Sequence, residues 1–419
     1  MNDIKNNEIS QDNIPKDWEI KTLGELCTSI SDGTHHTPQY VQNGVPFYSV
    51  ENVAANDFRN SKLISYDAHF KLLQRCKPEK GDILLTRIGT LGKTKIIDWD
   101  IEASIYVSLA LLKIKKEYDN KYIYSYTKSD EFVKGVVKNS LTNAVPQKIN
   151  MKDINNVQVV MPTNKKEQQK ITSALSDMDN LIESLEKIIE KKKKIKRGIM
   201  QQLLTCKKRL PGFNDEWKTV KFGETLDGIY DYTANGSFQS LKDNVTYYSK
   251  SNYAVIVRTA DLNKRKFSPE RFTDKKGYDF LSKTSLNGGE IVMASVGSLG
   301  NVYKIPYYNQ PMTLGPNCYL LEFNKLVVKE YIYYFMKTTV FNELLSEQVG
   351  SSTLKSLNKD NLRNIEVYLP LNTKEQQAIA SILANMDDEI KLLEEKLAKY
   401  KKIEEGMMQE LLTGRIRLI

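Results

Sequence analysis

The segment Pro162 to Leu210 recurs at Pro370 to Leu418, 208 residues later and without a gap, with roughly half of the aligned positions identical. PTNKKEQQKITSALSDMDNLIESLEKIIEKKKKIKRGIMQQLLT lies over PLNTKEQQAIASILANMDDEIKLLEEKLAKYKKIEEGMMQELLT. Upstream the same offset survives only in islands. GDILLTRIGTLGK (Gly81 to Lys93) lies over GEIVMASVGSLGN (Gly289 to Asn301), and INNVQVVMP over LRNIEVYLP. At a slightly shorter offset, DWEIKTLGE (Asp17 to Glu25) matches EWKTVKFGE (Glu216 to Glu224). The chain is therefore a unit of one divergent block and one well-kept block, used twice. Two copies are too few for a solenoid and imply pseudo-twofold symmetry.

The well-kept block reads as a long helix. Apolar residues fall at Ile171, Leu175, Met178, Ile182, Leu185 and Ile189, in alternating steps of four and three. Ile379, Leu383, Met386, Ile390, Leu393 and Leu397 repeat the pattern, which is a coiled-coil seam. Neither copy is interrupted by proline, and Thr163 and Asn372 mark helix starts. Each helix of about 40 residues spans about 60 Å. The polar faces differ: Lys187 to Arg209 is basic, whereas the second copy carries Asp387, Asp388, Glu389, Glu394, Glu395, Glu404, Glu405 and Glu410. Antiparallel pairing lets a basic half meet an acidic one, favouring this pair over self-pairing of either helix.

Each divergent block alternates short apolar runs with Gly/Asn/Asp turns: VPFYSV, DILLTRI, TKIIDW and YVSLALLKI in the first, YAVIVRTA, EIVMASV and CYLLEF in the second. These predict strands. Helical spacing predicts one helix in each block, over Asp119 to Lys138 and over Lys329 to Gln348. The fold class expected is α+β, with strand order left open.

Composition closes off several classes. A chain of 419 residues exceeds one ordinary core and suits two domains. Hydrophobic residues at 40% and charged residues at 27% exclude a largely disordered chain. Cys27, Cys76, Cys206 and Cys318 lie far apart with no CxxC pair, disfavouring a zinc site or a disulfide framework and pointing to a reducing cytoplasm. Residues 1–13 lack the apolar core of a signal peptide, and the longest apolar stretch is too short for a membrane span. Lys and Arg exceed Asp and Glu by 61 to 52, a modest +9.

Three catalytic readings fail. GTLGKT (Gly89 to Thr94) mimics the end of a phosphate-binding loop, but the motif's first glycine falls at Arg87 and the second copy, GSLGN, has no lysine. A repeated strand-to-strand turn explains it better. Asp17 and Glu19, with Lys21, are too close in sequence for a separated metal-binding pair. His35, His36 and His69 lack metal-ligand spacing.

The opening IPKDWEIKTLGEL, the segment DGTHHTPQYVQNGVPFYSVENV (Asp32 to Val53), KGDILLTRIGTLGK, the P-x-x-x-x-EQQ-x-I helix starts and the G-x-x-Q-x-LLT ends together resemble the specificity subunit of type I restriction-modification systems. The resemblance covers nearly the whole chain. It implies a polar extension over 1–13, a target-recognition domain over 14–161, a central spacer helix over 162–208, a second target-recognition domain over 209–369 and a C-terminal spacer helix over 370–419. It further implies a non-catalytic chain binding double-stranded DNA and no cofactor of its own. Its partners would be two methyltransferase subunits using S-adenosylmethionine, and two endonuclease/translocase subunits using ATP and Mg2+. The sequence agrees, having no N/D-PP-Y/F tetrapeptide, Walker motif or nuclease triad. One departure is that the second domain has no counterpart to DGTHHTP.

On this reading, two unlike domains recognise the unlike halves of a bipartite asymmetric site, and spacer length sets the gap. Candidate DNA contacts are Thr34, His35, His36 and Arg87 in the first domain and Arg258, Lys264, Arg265 and Lys304 in the second. Two other readings stay open. One is a coiled-coil adaptor binding proteins without DNA specificity; the other is a self-sufficient nuclease with a site built from scattered residues.

Overall fold

The computed structural model describes residues 14–141, 143–264, 266–297, 299–348 and 357–419. The extension expected over 1–13 and the candidate Arg265 lie outside the described residues. Two compact units are formed, one from the chain up to Glu186 together with the part from Glu395, the other from Lys187 to Glu394. The division cuts both long helices midway, so a unit is a globular domain plus the nearer ends of two helices.

The first domain contains β1 (Trp18–Thr22), β2 (Cys27–Asp32), β3 (Tyr40–Val41), β4 (Val45–Tyr48), β5 (Lys62–Ile64), β6 (Ile83–Thr86), β7 (Thr94–Ile96), β8 (Ser104–Ile105), β9 (Leu109–Ile114) and β10 (Gln158–Pro162). Its sheets run β2-β9-β6-β7, β3-β5-β4-β8 and β1-β10. The unbroken apolar runs of β6 and β9 follow from burial on both faces. Ile83, Leu85, Ala110 and Leu112 pack against helices, while Leu84, Leu109 and Leu111 pack with Tyr48 and Ile105. Because side chains alternate, a strand covered on one face only would have shown a polar residue at every second position.

The second domain repeats the larger four-stranded sheet and the closing strand pair, while its small sheet carries the fourth strand on the opposite edge, with β11 (Trp217–Lys221), β12 (Leu226–Asp231), β13 (Ala254–Val257), β14 (Phe272–Thr273), β15 (Ser285–Leu286), β16 (Ile291–Ala294), β17 (Val302–Lys304), β18 (Met312–Leu314), β19 (Cys318–Phe323) and β20 (Glu366–Pro370). Its sheets are β12-β19-β16-β17, β14-β13-β18-β15 and β11-β20. GTLGK joins the hairpin β6-β7, and β16 and β17 pair in the same way around GSLGN; Gly92 (φ +80°) and Gly300 (φ +78°) take left-handed backbone. No helix follows the strand, as a phosphate-binding loop would require.

Each expected mid-domain helix is two helices. Ser129 caps a new start by accepting from Phe132 N, splitting Asn120–Thr127 from Asp130–Lys138. Thr338 accepts from Phe341 N in the same way between Lys329–Phe335 and Thr339–Gln348. The apolar spacing reads through both breaks because both members of each pair face the same core.

The central helix spans Lys165–Leu203 and the C-terminal helix Thr373–Leu412. The central helix is capped by Asn164, which accepts from Lys166 N at 2.9 Å, rather than by Thr163. Thr163 instead bonds Asp17 O through both its amide and its hydroxyl, extending the β1-β10 pairing. Asn372 caps the second helix as expected, accepting from Lys374 N at 3.0 Å.

The two glutamines of EQQ sit differently. Gln168 and Gln376 are buried, and their Nε2 atoms donate to Pro162 O and Pro370 O, each at 2.7 Å, tying the helix start to the strand before it. Gln376 also accepts from Val328 N at 2.6 Å, reaching the start of the Lys329–Phe335 helix.

In both units the helix segments run antiparallel. Lys401 meets Glu186 at 2.6 Å in the first; Lys192 meets Glu389 and Lys193 meets Glu394, each at 2.6 Å, in the second. Ile171, Leu175, Ile182, Leu185, Ile189, Ile379, Leu383 and Ile390 are buried, and Met178, Met386, Leu393 and Leu397 are half-buried. The LLT ends complete the domain cores: Leu411 and Leu412 join Ile171 and Leu175, while Leu203 and Leu204 join Ile379 and Leu383. Basic-to-acidic matching holds for Lys192, Lys193 and Lys196, which meet Glu389, Glu394 and Asp387. Among the described residues, Lys194 reaches only Glu190 of its own helix, at 3.8 Å. Since Lys193 and Glu394 are both well exposed, Lys193→Ala should cost less than about 1 kcal/mol in a denaturant melt.

Candidate nucleic-acid interface

In the first domain the candidates gather around one carboxylate. Asp32 ends β2 and is only 8% exposed; it receives Arg87 Nη1 at 3.2 Å, Arg75 Nη2 at 2.7 Å and His35 Nε2 at 2.8 Å. Burial alone would raise the Asp32 carboxyl. Hydrogen bonds from Arg75 and His35, with the charges of His35 and Arg87, hold it below the usual range instead.

Arg87, which follows β6, lies beneath this surface. It is buried, and besides Asp32 it donates to Val107 O at 2.9 Å and Ile149 O at 3.3 Å. It is a strut for the loop rather than an exposed phosphate contact. Thr34 is also buried and folds the loop, its hydroxyl donating to His36 O and accepting from His36 N. His35 and His36 are exposed. His69 is a buried structural histidine whose Nδ1 lies 2.9 Å from Ser104 Oγ.

In the second domain Arg258 follows β13 and grips the fully buried Asp261 bidentately, Nε to Oδ2 at 3.0 Å and Nη2 to Oδ1 at 2.8 Å. Arg258 and Lys264 share the exposed Glu270, whose carboxyl they hold below its ordinary value, Lys264 by the larger hydrogen-bond effect. Lys304, at the end of β17, faces Glu330 at 3.3 Å. All three cations thus carry carboxylate partners, and an incoming phosphate would have to exchange with Glu270 or Glu330.

Sequence reasoning missed Asp32 and Arg75. Asp32 belongs to the quoted DGTHHTP segment, but Arg75 lies 43 residues away with no local pattern linking the two. Asp231 ends β12 as Asp32 ends β2, yet its partner is Lys359 at 3.1 Å, and Ser295 follows β16 where Arg87 follows β6. The scaffold is shared and the chemistry on it is not.

A scaffold built twice, with unlike polar groups at matching strand ends and antiparallel helices closing each copy, defines a paired recognition module. The model of the type I restriction modification DNA specificity domain matches residues 15–197 and again 214–402, and the chain belongs to this family. It is 24% identical over 433 residues to the putative type I restriction enzyme MjaX specificity subunit of Methanocaldococcus jannaschii, covering 99% of this chain and 97% of that protein. The fold is similar to that of the S subunit of a type-I restriction-modification system from M. genitalium, with a TM-score of 0.58, 16% identity, and 97% and 98% of the two chains covered. A second solved chain, from work on complex assembly and conformational transition of the type I R-M system, gives a TM-score of 0.57 at 14% identity, over 96% and 99% of the chains.

Proposed function

We propose that this chain is the non-catalytic, DNA-reading subunit of a cytoplasmic type I restriction-modification enzyme. Each globular domain reads one half of a bipartite asymmetric site in double-stranded DNA. The observation that carries this reading is the pair of matching strand ends with unlike partners, Asp32 with Arg75, Arg87 and His35 against Asp231 with Lys359. Equal scaffolds with equal readers would select a palindrome; unlike readers select unlike halves.

The paired helices act as spacer and as the docking element for two methyltransferase subunits, which bring S-adenosylmethionine. Two endonuclease/translocase subunits, using ATP and Mg2+, complete the restricting enzyme. This chain's share of the work is binding: phosphate contacts give affinity, and base contacts give choice.

Selection by the purified full chain from a randomised duplex pool tests the reading. Two short unlike motifs at a fixed gap are expected, whereas a protein-binding adaptor would enrich no sequence. The spacer role has its own readout. Four residues added to a helix lengthen it by about 6 Å, against about 3.4 Å per base pair, so the selected gap should widen by roughly one or two pairs. A gap that stays put would exclude the ruler.

A further inference from the structure

We propose that Arg75 reads a guanine in the major groove of the first domain's half-site, with Asp32 and Arg87 as the positioning residues that hold it ready. This rests on the DNA-reading role proposed above and names the residue that exercises it.

Arg75 follows the helix Tyr66–Leu73 and is 54% exposed, yet its Nη2 is fixed to the nearly buried Asp32. Among the described residues its Nε and Nη1 have no protein acceptor. A free surface arginine loses much rotamer freedom on binding, whereas one already held by a buried carboxylate loses less. Asp32 does not depend on Arg75 to stay in place, because Arg87 neutralises it from below and is itself bonded to two backbone carbonyls.

Charge separates base reading from phosphate binding. A carboxylate at 2.7 Å cancels much of the guanidinium's long-range field, which is what a phosphate contact uses. It occupies one Nη2 hydrogen and leaves one two-donor edge of the guanidinium free, and paired donors matched to guanine O6 and N7 are the commonest specific contact of arginine. Arg258 has the opposite arrangement, its fork spent on Asp261 and Glu270. The helix that delivers Arg75 also leaves Tyr66 and Phe70 largely in water, an apolar surface that a docked duplex would cover.

The test is duplex selection from a randomised pool by the full-length wild type, Arg75→Ala, Arg75→Lys and Asp32→Asn, with binding re-measured across salt concentrations. In Arg75→Ala, preference for one guanine in one half-site should fall roughly ten- to hundred-fold while the other half-site is read unchanged. The unchanged half also shows that the variant is folded. Arg75→Lys should lose the same preference with an unaltered salt slope, because lysine keeps the charge without the fork. Asp32→Asn should weaken the same position. An unchanged consensus in Arg75→Ala overturns the proposal. So does uniform weakening across sequences with a salt slope smaller by about one, which marks a phosphate contact. If the wild type itself enriches no sequence, the DNA-reading role falls first and takes this assignment with it.

Discussion

Arg417→Ala should lower the thermal midpoint of the protein by roughly 4 to 10 °C, read by circular dichroism at neutral pH. Arg417 makes four charge-assisted hydrogen bonds: to both carboxylate oxygens of Glu167 at 2.6 and 2.8 Å, and to both of Asp17 at 2.9 and 2.6 Å. Its guanidinium also lies 5.7 Å from the centre of the Trp18 ring. The asymmetry of the pair decides the size of the effect. Glu167 is only 3% exposed, whereas Arg417 is 22% exposed, so removing the arginine strands a buried carboxylate with little access to water. Breaking a fully buried pair costs about 3 to 5 kcal/mol; with one partner at the surface, about 2 to 3 is expected. Adding Glu167→Gln to Arg417→Ala should recover much of the loss, because it removes the stranded charge. A midpoint that moves by less than about a degree would show that the clamp contributes nothing.

The same clamp is built in the second unit, 208 residues earlier on one side and later on the other. Arg209 grips the fully buried Glu375 with Nε at 3.0 Å and Nη2 at 2.7 Å. This gives the glutamate of the EQQ motif its physical meaning: each helix start buries a carboxylate that is neutralised by an arginine just past the far end of the other long helix. The repeat exposed the motif in the sequence but not this use of it. Residues 167 and 417 are 250 positions apart, and pairing them needs the antiparallel register.

Legibility followed the range of the interactions. Helices and seam were readable because their period is local, and the buried strands because burial on both faces leaves unbroken apolar runs. The breaks at Ser129 and Thr338 were hidden, since a cap redirects the backbone without disturbing the apolar spacing. The Asp32 hub was hidden for a different reason: its four members come from β2, the loop after it, the end of a short helix and the end of β6. Arg87 stood out as a cation beside a strand, but the sequence could not show that it points inward to a carboxylate.

Glu404→Gln should stabilise the protein by about 1 to 2 kcal/mol above pH 7 and by almost nothing below pH 4.5. Along the repeat, Glu404 of the C-terminal helix corresponds to Lys196 of the central helix, and Asp179 corresponds to Asp387. In the second unit this position is a salt bridge, Lys196 to Asp387, to which Tyr334 adds a hydrogen bond at 2.7 Å. In the first unit the equivalent is two carboxylates, Glu404 hydrogen-bonded to Asp179, with Lys128 on Asp179 at 3.0 Å. Burial pushes the Glu404 carboxyl up to about 7 from 4.5, the Asp179 carboxylate adds to the rise, and Lys128 and Lys401 only partly oppose it. Because the folded state keeps this proton to a higher pH than the unfolded chain does, the folded form binds more protons between pH 4.5 and about 7. Stability from this site therefore falls as pH rises through that window, and the whole cost is present above it. Glutamine preserves the shape and can donate to Asp179 at any pH, so it removes the cost where Glu404 is ionised and changes little where Glu404 is already protonated. Urea melts of wild type and variant at pH 5, 6, 7 and 8 should give curves whose difference grows with pH and levels off near pH 8. A constant difference would show that the two carboxylates are not in contact in solution.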